Sequence, residues 1–259
     1  MNETGESKRI KACERTLEIL DTLAELGGAT GTEVAAETGL PKSTVHYHLK
    51  TLEDQEYVVK DADGTYLPGL KFLTIGHDRV DRMSLYSAAK PEVDRLAEET
   101  EEMCILMCEE YGYGFYIYSS SGEKGVEFDA EGSRKLLHDN ALGKAILAYL
   151  PEEQVRRIID RHGLPATTKH TVTAEELLLE QLDEIRESGV AFDREEQLDG
   201  LSCVAAPIKR YVDGDQESVY GSVSIAGPAS RFQGDYFEEE LARLVSDAAN
   251  MIELKIQEY

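Results

Sequence analysis

A twelve-residue window from Pro41 to Leu52 holds two lysines, two histidines and no acidic residue, in a chain with 51 acidic against 27 basic residues. Within it Val45, Leu49 and Leu52 recur at i, i+4 and i+7, the spacing of one narrow apolar stripe on a helix. That spacing leaves Ser43, His46, Tyr47 and Lys50 on the opposite side, flanked by Lys42 and Thr44. Lysines and small hydroxyls suit phosphate oxygens, whereas serine, histidine and tyrosine can read base edges. The expected division puts Lys42, Thr44, Lys50 and the later Lys60 on phosphates, and Ser43, His46 and Tyr47 on bases.

Elements able to position such a face surround it. From Lys11 to Leu26 the residues Cys13, Leu17, Leu20, Leu23 and Ala24 recur at helical spacing, and Gly27-Gly28 stops the run. Thr30-Gly-Thr-Glu33 fits a capping box ahead of Val34, Ala35 and Ala36, and Gly39 closes this second helix after about two turns. Pro41 suits the first turn of the third helix, because its missing N–H would be unpaired there. Tyr57-Val-Val-Lys60 and Thr65-Tyr-Leu67 flank the turn Asp61-Ala-Asp-Gly64 and read as a hairpin. Helix, tight turn, helix and hairpin together predict a winged helix-turn-helix, whose second helix enters the major groove.

Beyond it, Leu70 to about Ser87 reads as a linking helix, with Phe72, Leu73, Ile75, Gly76, Val80 and Met83 supplying apolar contacts, and another helix follows Pro91. Met103 to Cys108 and Phe115 to Tyr118 read as paired strands around Tyr111-Gly-Tyr-Gly114. Helices are expected near Ala141–Leu150, Glu152–Arg161, Ala174–Ser188 and Asp235–Glu258, with strands at Val190–Phe192, Ser202–Ile208 and Val219–Ile225. The fold class is therefore α+β, with the second domain a mixed sheet covered by helices. The expected boundaries are a DNA-binding domain over 1–70, a linker helix over 71–88 and a larger domain over 89–259.

Composition bounds the function. At 259 residues with 41% hydrophobic and 30% charged residues, the chain can bury two cores and is neither disordered nor a stapled miniprotein. The richest apolar run, Ala141 to Leu150, is too short for a bilayer and contains Lys144. No basic segment leading into an apolar core follows Met1, so a cytoplasmic location is expected. Cys13, Cys104, Cys108 and Cys203 form no C-x-x-C pair and read as thiols, with no metal or cofactor implied.

The net charge of -24 would repel DNA in dilute buffer. Residues 1–80 hold 9 basic and 14 acidic residues, whereas 81–259 hold 18 and 37, so most of the acid lies away from the proposed interface. Proteins that work in molar intracellular salt have this composition. At about 1 M the Debye length is about 3 Å, so only contact-range charge matters and a halophilic DNA-binding protein is physically consistent.

Three blocks resemble the IclR family of bacterial and archaeal transcription regulators over nearly the whole chain. They are Glu33-Val-Ala-Ala-Glu-Thr-Gly-Leu-Pro-Lys-Ser-Thr-Val-His46 with Tyr66-Leu-Pro-Gly-Leu-Lys-Phe72; Leu137-His-Asp-Asn-Ala-Leu-Gly-Lys-Ala-Ile-Leu-Ala148; and the set Gly189–Glu196, Gly200–Pro207 and Ser222–Pro228. The resemblance implies a homodimer or tetramer, a double-stranded DNA operator and a GAF-like effector-binding domain for a small metabolite, such as a carboxylate or an aromatic or sugar-derived compound. It also implies a pocket lined by backbone at Ala141 and Leu142 and by the side chains of Asp193, Cys203, Ser222 and Ser224. Asp139-Asn140 replace the small residues usual after the histidine, and Leu137 replaces the usual proline, which implies a more polar and more acidic pocket mouth.

Metabolite binding would then favour one arrangement of paired DNA-binding domains. Two rivals stand beside this reading: a winged-helix protein-interaction module with a metabolite sensor, and a small-molecule hydrolase built on the serines, His138 and Asp193. The hydrolase has no Gly-x-Ser-x-Gly elbow, Gly-rich phosphate loop or His-Glu-x-x-His helix to support it, so no catalytic residue is expected.

Overall fold

The computed structural model describes residues 9–126, 131–212 and 216–257. Contacts divide the chain into two compact units, with the break after Arg79. Among the described residues no helix is long and apolar enough to cross a membrane.

The first unit contains α1 (Lys11–Glu25), α2 (Gly31–Thr38), α3 (Lys42–Asp54), β1 (Val58–Lys60) and β2 (Tyr66–Pro68). Both halves of the predicted capping box form at α2: Thr30 Oγ1 accepts from the Glu33 N–H, and the Glu33 carboxylate accepts from the Thr30 N–H at 2.7 Å. That backbone bond holds the Glu33 carboxyl below its ordinary pKa. Gly39 then closes α2 at φ +67, a left-handed conformation that glycine adopts without steric cost. Strands β1 and β2 pair antiparallel, and Asp61 Oδ1 gathers the N–H groups of Asp63 and Thr65 to fold the wing turn.

Val45, Leu49 and Leu52 are buried as predicted, against Ile19, Leu23, Val34, Val58 and Tyr66. The stripe expected on α1 is met only in part. Cys13, Leu17 and Ala24 are exposed, and the helix buries Ile19, Thr22 and Leu23. Of the expected stripe Leu23 is buried and Leu20 half-buried, while Ile19, one position before Leu20 and about 100° around the helix, lies deepest beside Leu23, a choice that a spacing pattern alone does not make.

The expected linking helix breaks in two, as α4 (Lys71–Asp81) and α5 (Ser84–Thr100). Met83 between them is extended (φ -80, ψ 123), and Pro91 lies inside α5 rather than before a new helix. Burial of Leu85, Ala88, Ala89, Val93, Leu96 and Ala97 offsets the missing ladder bond of an internal proline. The apolar residues of α4 supply no buried contact within the chain: Phe72, Leu73 and Ile75 are exposed, and α4 buries none of its residues. Phe72 meets the Tyr57 ring at 5.3 Å, whereas Leu73 and Ile75 stay exposed.

The second unit continues with β3 (Met103–Glu110), β4 (Tyr113–Ser121), β5 (Arg134–Lys135), α6 (Ala141–Leu147), α7 (Glu152–His162), α8 (Glu175–Ser188), β6 (Ala191–Arg194), β7 (Leu201–Val212), β8 (Gln216–Pro228), a π-helical turn over Tyr236–Leu241 and α9 (Ala242–Gln257). Its six strands lie in the order β5-β4-β3-β8-β7-β6. Every pairing among them is antiparallel, so the sheet is not the mixed one expected. Helices α6, α7 and α8 come as a block between β5 and β6 and leave two meanders to pair through β3 and β8.

Alternation along the strands sorts two cores. Cys104, Leu106, Val204, Ala206, Val223 and Ile225 face α5 and α9, whereas Ile105, Met107, Cys203, Ala205 and Ala226 face α6 and α8. Helix α6 is shorter than predicted, because Tyr149 and Leu150 close tighter i→i−3 bonds ahead of Pro151. Likewise the closing helix starts as a π turn. Strand β5, at two residues, is too short to show any alternation.

Candidate functional site

In the first unit the surface of α3 opposite its buried stripe is open. Lys42, Ser43, His46 and Tyr47 are exposed, Tyr47 by 72%, and Thr44 is half-buried. His46 and Tyr47 rings meet edge to face at 6.0 Å. The remaining histidine of the window, His48, is engaged within the subunit, where its Nδ1 lies 2.8 Å from Thr16 Oγ1 and ties α3 to α1. Lys50 is exposed but not unengaged, since Asp54 at 2.9 Å and Glu53 at 3.4 Å hold its amine. These acids sit just beyond the acid-free window, and the bond to Asp54 chiefly raises the Lys50 pKa. Lys60 is exposed on the wing, with its amine 4.9 Å from the Tyr66 ring centroid.

In the second unit a small cavity lies between the α6 side of the sheet and the loop after β6. Of the six expected pocket residues, Ala141, Leu142, Cys203 and Ser224 line it. Asp193 and Ser222 do not: both are buried, Asp193 beside Cys203 in the β6–β7 register, and the Ser222 hydroxyl donates to the Leu142 carbonyl at 2.9 Å. Ser222 thus anchors α6 to the sheet. Tyr116, Asn140 and Gln197 also line the cavity, between the apolar walls of Ile105, Leu201 and Ala226.

The start of α6 is held tightly. Asn140 Oδ1 accepts from the Gly143 N–H at 2.8 Å, while its amide donates to Leu136 O and Asp139 Oδ1. A Cβ on Gly143 would stand 2.2 Å from the Leu137 carbonyl, so only glycine allows this approach. His138 is buried with Nε2 3.1 Å from Pro165 O, which orders the loop. The pocket mouth is not the acidic one expected, because Asp139 is buried, its oxygens accept from Asn140 and Thr167, and it does not line the cavity.

Beside the cavity lies a buried polar cluster that spacing alone did not reveal. Lys144 donates to Glu196 Oε1 at 2.5 Å, and Asp193 Oδ1 accepts from the Glu196 N–H at 2.6 Å. Burial raises the Asp193 pKa to about 7, opposed by that backbone bond and reinforced by the Glu196 charge. Burial also pushes the Cys203 thiol well up, so it is no nucleophile. The sequence signal was a single lysine inside the most apolar run of the chain.

Separately, His170, Glu195 and Asp199 bring ligand-capable atoms within 4.8 Å of one another near the surface, a grouping hidden by a 25-residue separation in the chain. No disulfide joins the cysteines among the described residues.

Two family descriptions account for the chain: "IclR helix-turn-helix domain" over residues 12–62 and "Bacterial transcriptional regulator IclR C-terminal" over residues 77–254. The chain belongs to the IclR family. The probable HTH-type transcriptional regulator ArcR of Halobacterium salinarum is 34% identical over 258 residues, 98% of this chain and 96% of that protein. An IclR transcriptional regulator of Alicyclobacillus acidocaldarius superposes with a TM-score of 0.80 at 26% identity, over 96% of this chain and 100% of that one. An IclR homologue of Microbacterium hydrocarbonoxydans, solved with 4-hydroxybenzoate, gives 0.78 at 21% identity over 96% and 100%.

This IclR-family chain is therefore a ligand-responsive DNA-binding transcriptional regulator with a C-terminal effector-binding domain, not a member of an enzyme family.

Proposed function

We propose that the regulator docks on duplex DNA through the open face of α3, with Lys42 and Thr44 on phosphates, Ser43, His46 and Tyr47 on base edges, and Lys60 of the wing on the flanking backbone. Lys50 contributes after exchanging Glu53 and Asp54 for a phosphate. The observation that carries this reading is the exposed, acid-free surface opposite a buried stripe, on a chain of net charge -24. The supporting test is fluorescence anisotropy with duplexes from upstream of its own coding sequence. Lys42→Ala and Tyr47→Ala should each weaken binding by about 1–3 kcal/mol, and unchanged affinity in both removes α3 from the interface.

The effector occupies the cavity lined by Ala141, Leu142, Cys203 and Ser224, with Asp193 beside it and Ser222 holding α6 in place. A small carboxylate or an aromatic or sugar-derived metabolite fits this reading, and the 4-hydroxybenzoate held by the Microbacterium homologue supports it. Effector binding shifts the arrangement of two DNA-binding units in a homodimer or tetramer, with a coupling of about 1–3 kcal/mol. The exposed apolar residues Leu73 and Ile75 of α4 support self-association. The functional division is a DNA-binding domain over 1–70, a linker over 71–88 and a GAF-like effector domain over 89–259. A salt-rich cytoplasm fits the acidic composition and the Halobacterium relative.

A further inference from the structure

Four buried side-chain atoms lack a hydrogen-bond partner among the described residues: Asp193 Oδ2, Glu196 Oε2, Gln197 Nε2 and Ser224 Oγ. Leaving such a group unpaired costs stability, and native interiors rarely tolerate it without a use. Gln197 and Ser224 line the same cavity, so both unpaired groups border one space.

The Gln197 amide is also oriented. The Tyr116 hydroxyl donates to Gln197 Oε1 at 3.3 Å, which leaves Nε2 as the unpaired end. Tyr116 is itself buried, and burial pushes its phenol well above the ordinary tyrosine value, so it stays a neutral donor. Tyr116 thereby sets which end of the amide the cavity meets.

Charge narrows the ligand. No charged side chain lines the cavity among the described residues, and the nearby Lys144 amine is already committed to Glu196. Several negative charges taken into such a site would find neutral donors and no cation, at a cost that neutral hydrogen bonds do not offset.

On the reading of this cavity as the effector site, we propose that Gln197, positioned by Tyr116, is a specificity-determining residue: its N–H donates to a carboxylate or carbonyl oxygen of a small effector carrying at most one negative charge, while Ser224 engages a second polar atom. An effector with two or more carboxylates, or with a phosphate, is excluded by the same uncharged lining.

The test is calorimetric titration of the full chain in high salt with named probes. These are pyruvate and 4-hydroxybenzoate as monoanions, 4-hydroxybenzamide as the neutral counterpart of the second, and oxaloacetate and citrate as polyanions. At least one monoanion should bind, and the polyanions should bind about tenfold more weakly or not at all. Gln197→Glu replaces a donor by an acceptor at nearly constant shape. It should weaken the monoanion about tenfold and shift preference toward 4-hydroxybenzamide, whose N–H can donate to the new carboxylate. A merely structural role for Gln197 would not produce that exchange. Tyr116→Phe frees the amide to rotate and should narrow the discrimination between 4-hydroxybenzoate and 4-hydroxybenzamide.

Gln197→Leu keeps a side chain of similar bulk without polarity and serves if Gln197→Glu fails to fold; it should weaken the monoanion with no gain for the amide. Loss of binding in Ser224→Ala with no change in either Gln197 variant would overturn the Gln197 assignment and leave the cavity as the effector site. Binding indifferent to Ser224→Ala and to both Gln197 variants would overturn the cavity reading as well. Polyanions binding as tightly as monoanions, or no monoanion binding at all, would overturn the ligand class.

Discussion

Lys144 and Glu196, 52 residues apart in the chain, meet at 2.5 Å with side chains only 2% and 8% exposed. Helix α6 thereby grips the loop that follows β6, next to the cavity lined by Leu142 and Ser224. Removing one member of such a pair strands the other charge in the interior. Lys144→Met should therefore destabilise the protein by about 3–5 kcal/mol, and the double variant Lys144→Met/Glu196→Leu should recover most of that loss. Urea unfolding in high salt measures both, and a double variant no more stable than the single one would show that the pair does more than neutralise charge.

Asp193 makes stability depend on pH in a definite sense. Its carboxyl has a reference value of 3.8 and is raised by burial to about 7 in the folded protein. Below the lower value both states hold the proton. Between the two the unfolded chain releases it and the folded chain keeps it, so rising pH favours unfolding, by roughly 4 kcal/mol in full. Asp193→Asn removes this penalty. Its melting temperature should gain on the natural chain more at about pH 8 than at about pH 5, and an equal difference at both would place the group's titration elsewhere.

The two serines of β8 should separate stability from binding. The Ser222 hydroxyl is spent on Leu142 O, so Ser222→Ala should cost about 1 kcal/mol of stability. Ser224 Oγ has no partner among the described residues, so Ser224→Ala should leave stability nearly unchanged and weaken ligand binding. Thermal melts with and without bound probe distinguish them.

Lys42 and Lys50 should differ at the DNA interface despite equal charge. Asp54 and Glu53 hold Lys50, whereas no ion pair is present at Lys42 among the described residues. Lys42→Ala should lower the slope of log affinity against log salt by about one, and Lys50→Ala by less. Asp54→Asn should strengthen DNA binding by freeing Lys50. Anisotropy titrations across a salt series read all three.

The exposed apolar residues of α4 should form an association surface. Leu73→Glu together with Ile75→Glu places two charges among Phe72, Leu70 and their neighbours, all exposed within one subunit. Light scattering after gel filtration should show the variant smaller than the natural chain. Equal masses would mean that α4 lies outside the subunit contact.

How far the sequence can be read varies by element. The capping box, Gly39, the buried stripe of α3 and the wing turn are legible because each depends on residues within a few positions of one another. On α1 Leu23 is buried as expected, but Ile19 rather than Leu20 lies deepest, because the two are equally apolar and only the packing of α2 and α3 decides between them. Pro91 reads as a helix start, yet the packing of α5 on its sheet carries the helix through it. In the effector domain every strand of the sheet but the two-residue β5 is evident from sequence, but not the strand directions.

By itself, then, the sequence determined the helix-turn-helix, the family and the open face of α3, since local periodicity, capping and an acid-free run are properties of neighbouring residues. Which polar groups face the cavity was decided only in three dimensions. Ser222 and Ser224 are two positions apart and point to the same side of β8, yet one is consumed by a backbone carbonyl and the other opens on the cavity. The partners that make this distinction lie some 80 residues earlier in the chain, around Leu142, and a hydrogen bond across that distance exists only once the sheet and α6 have packed.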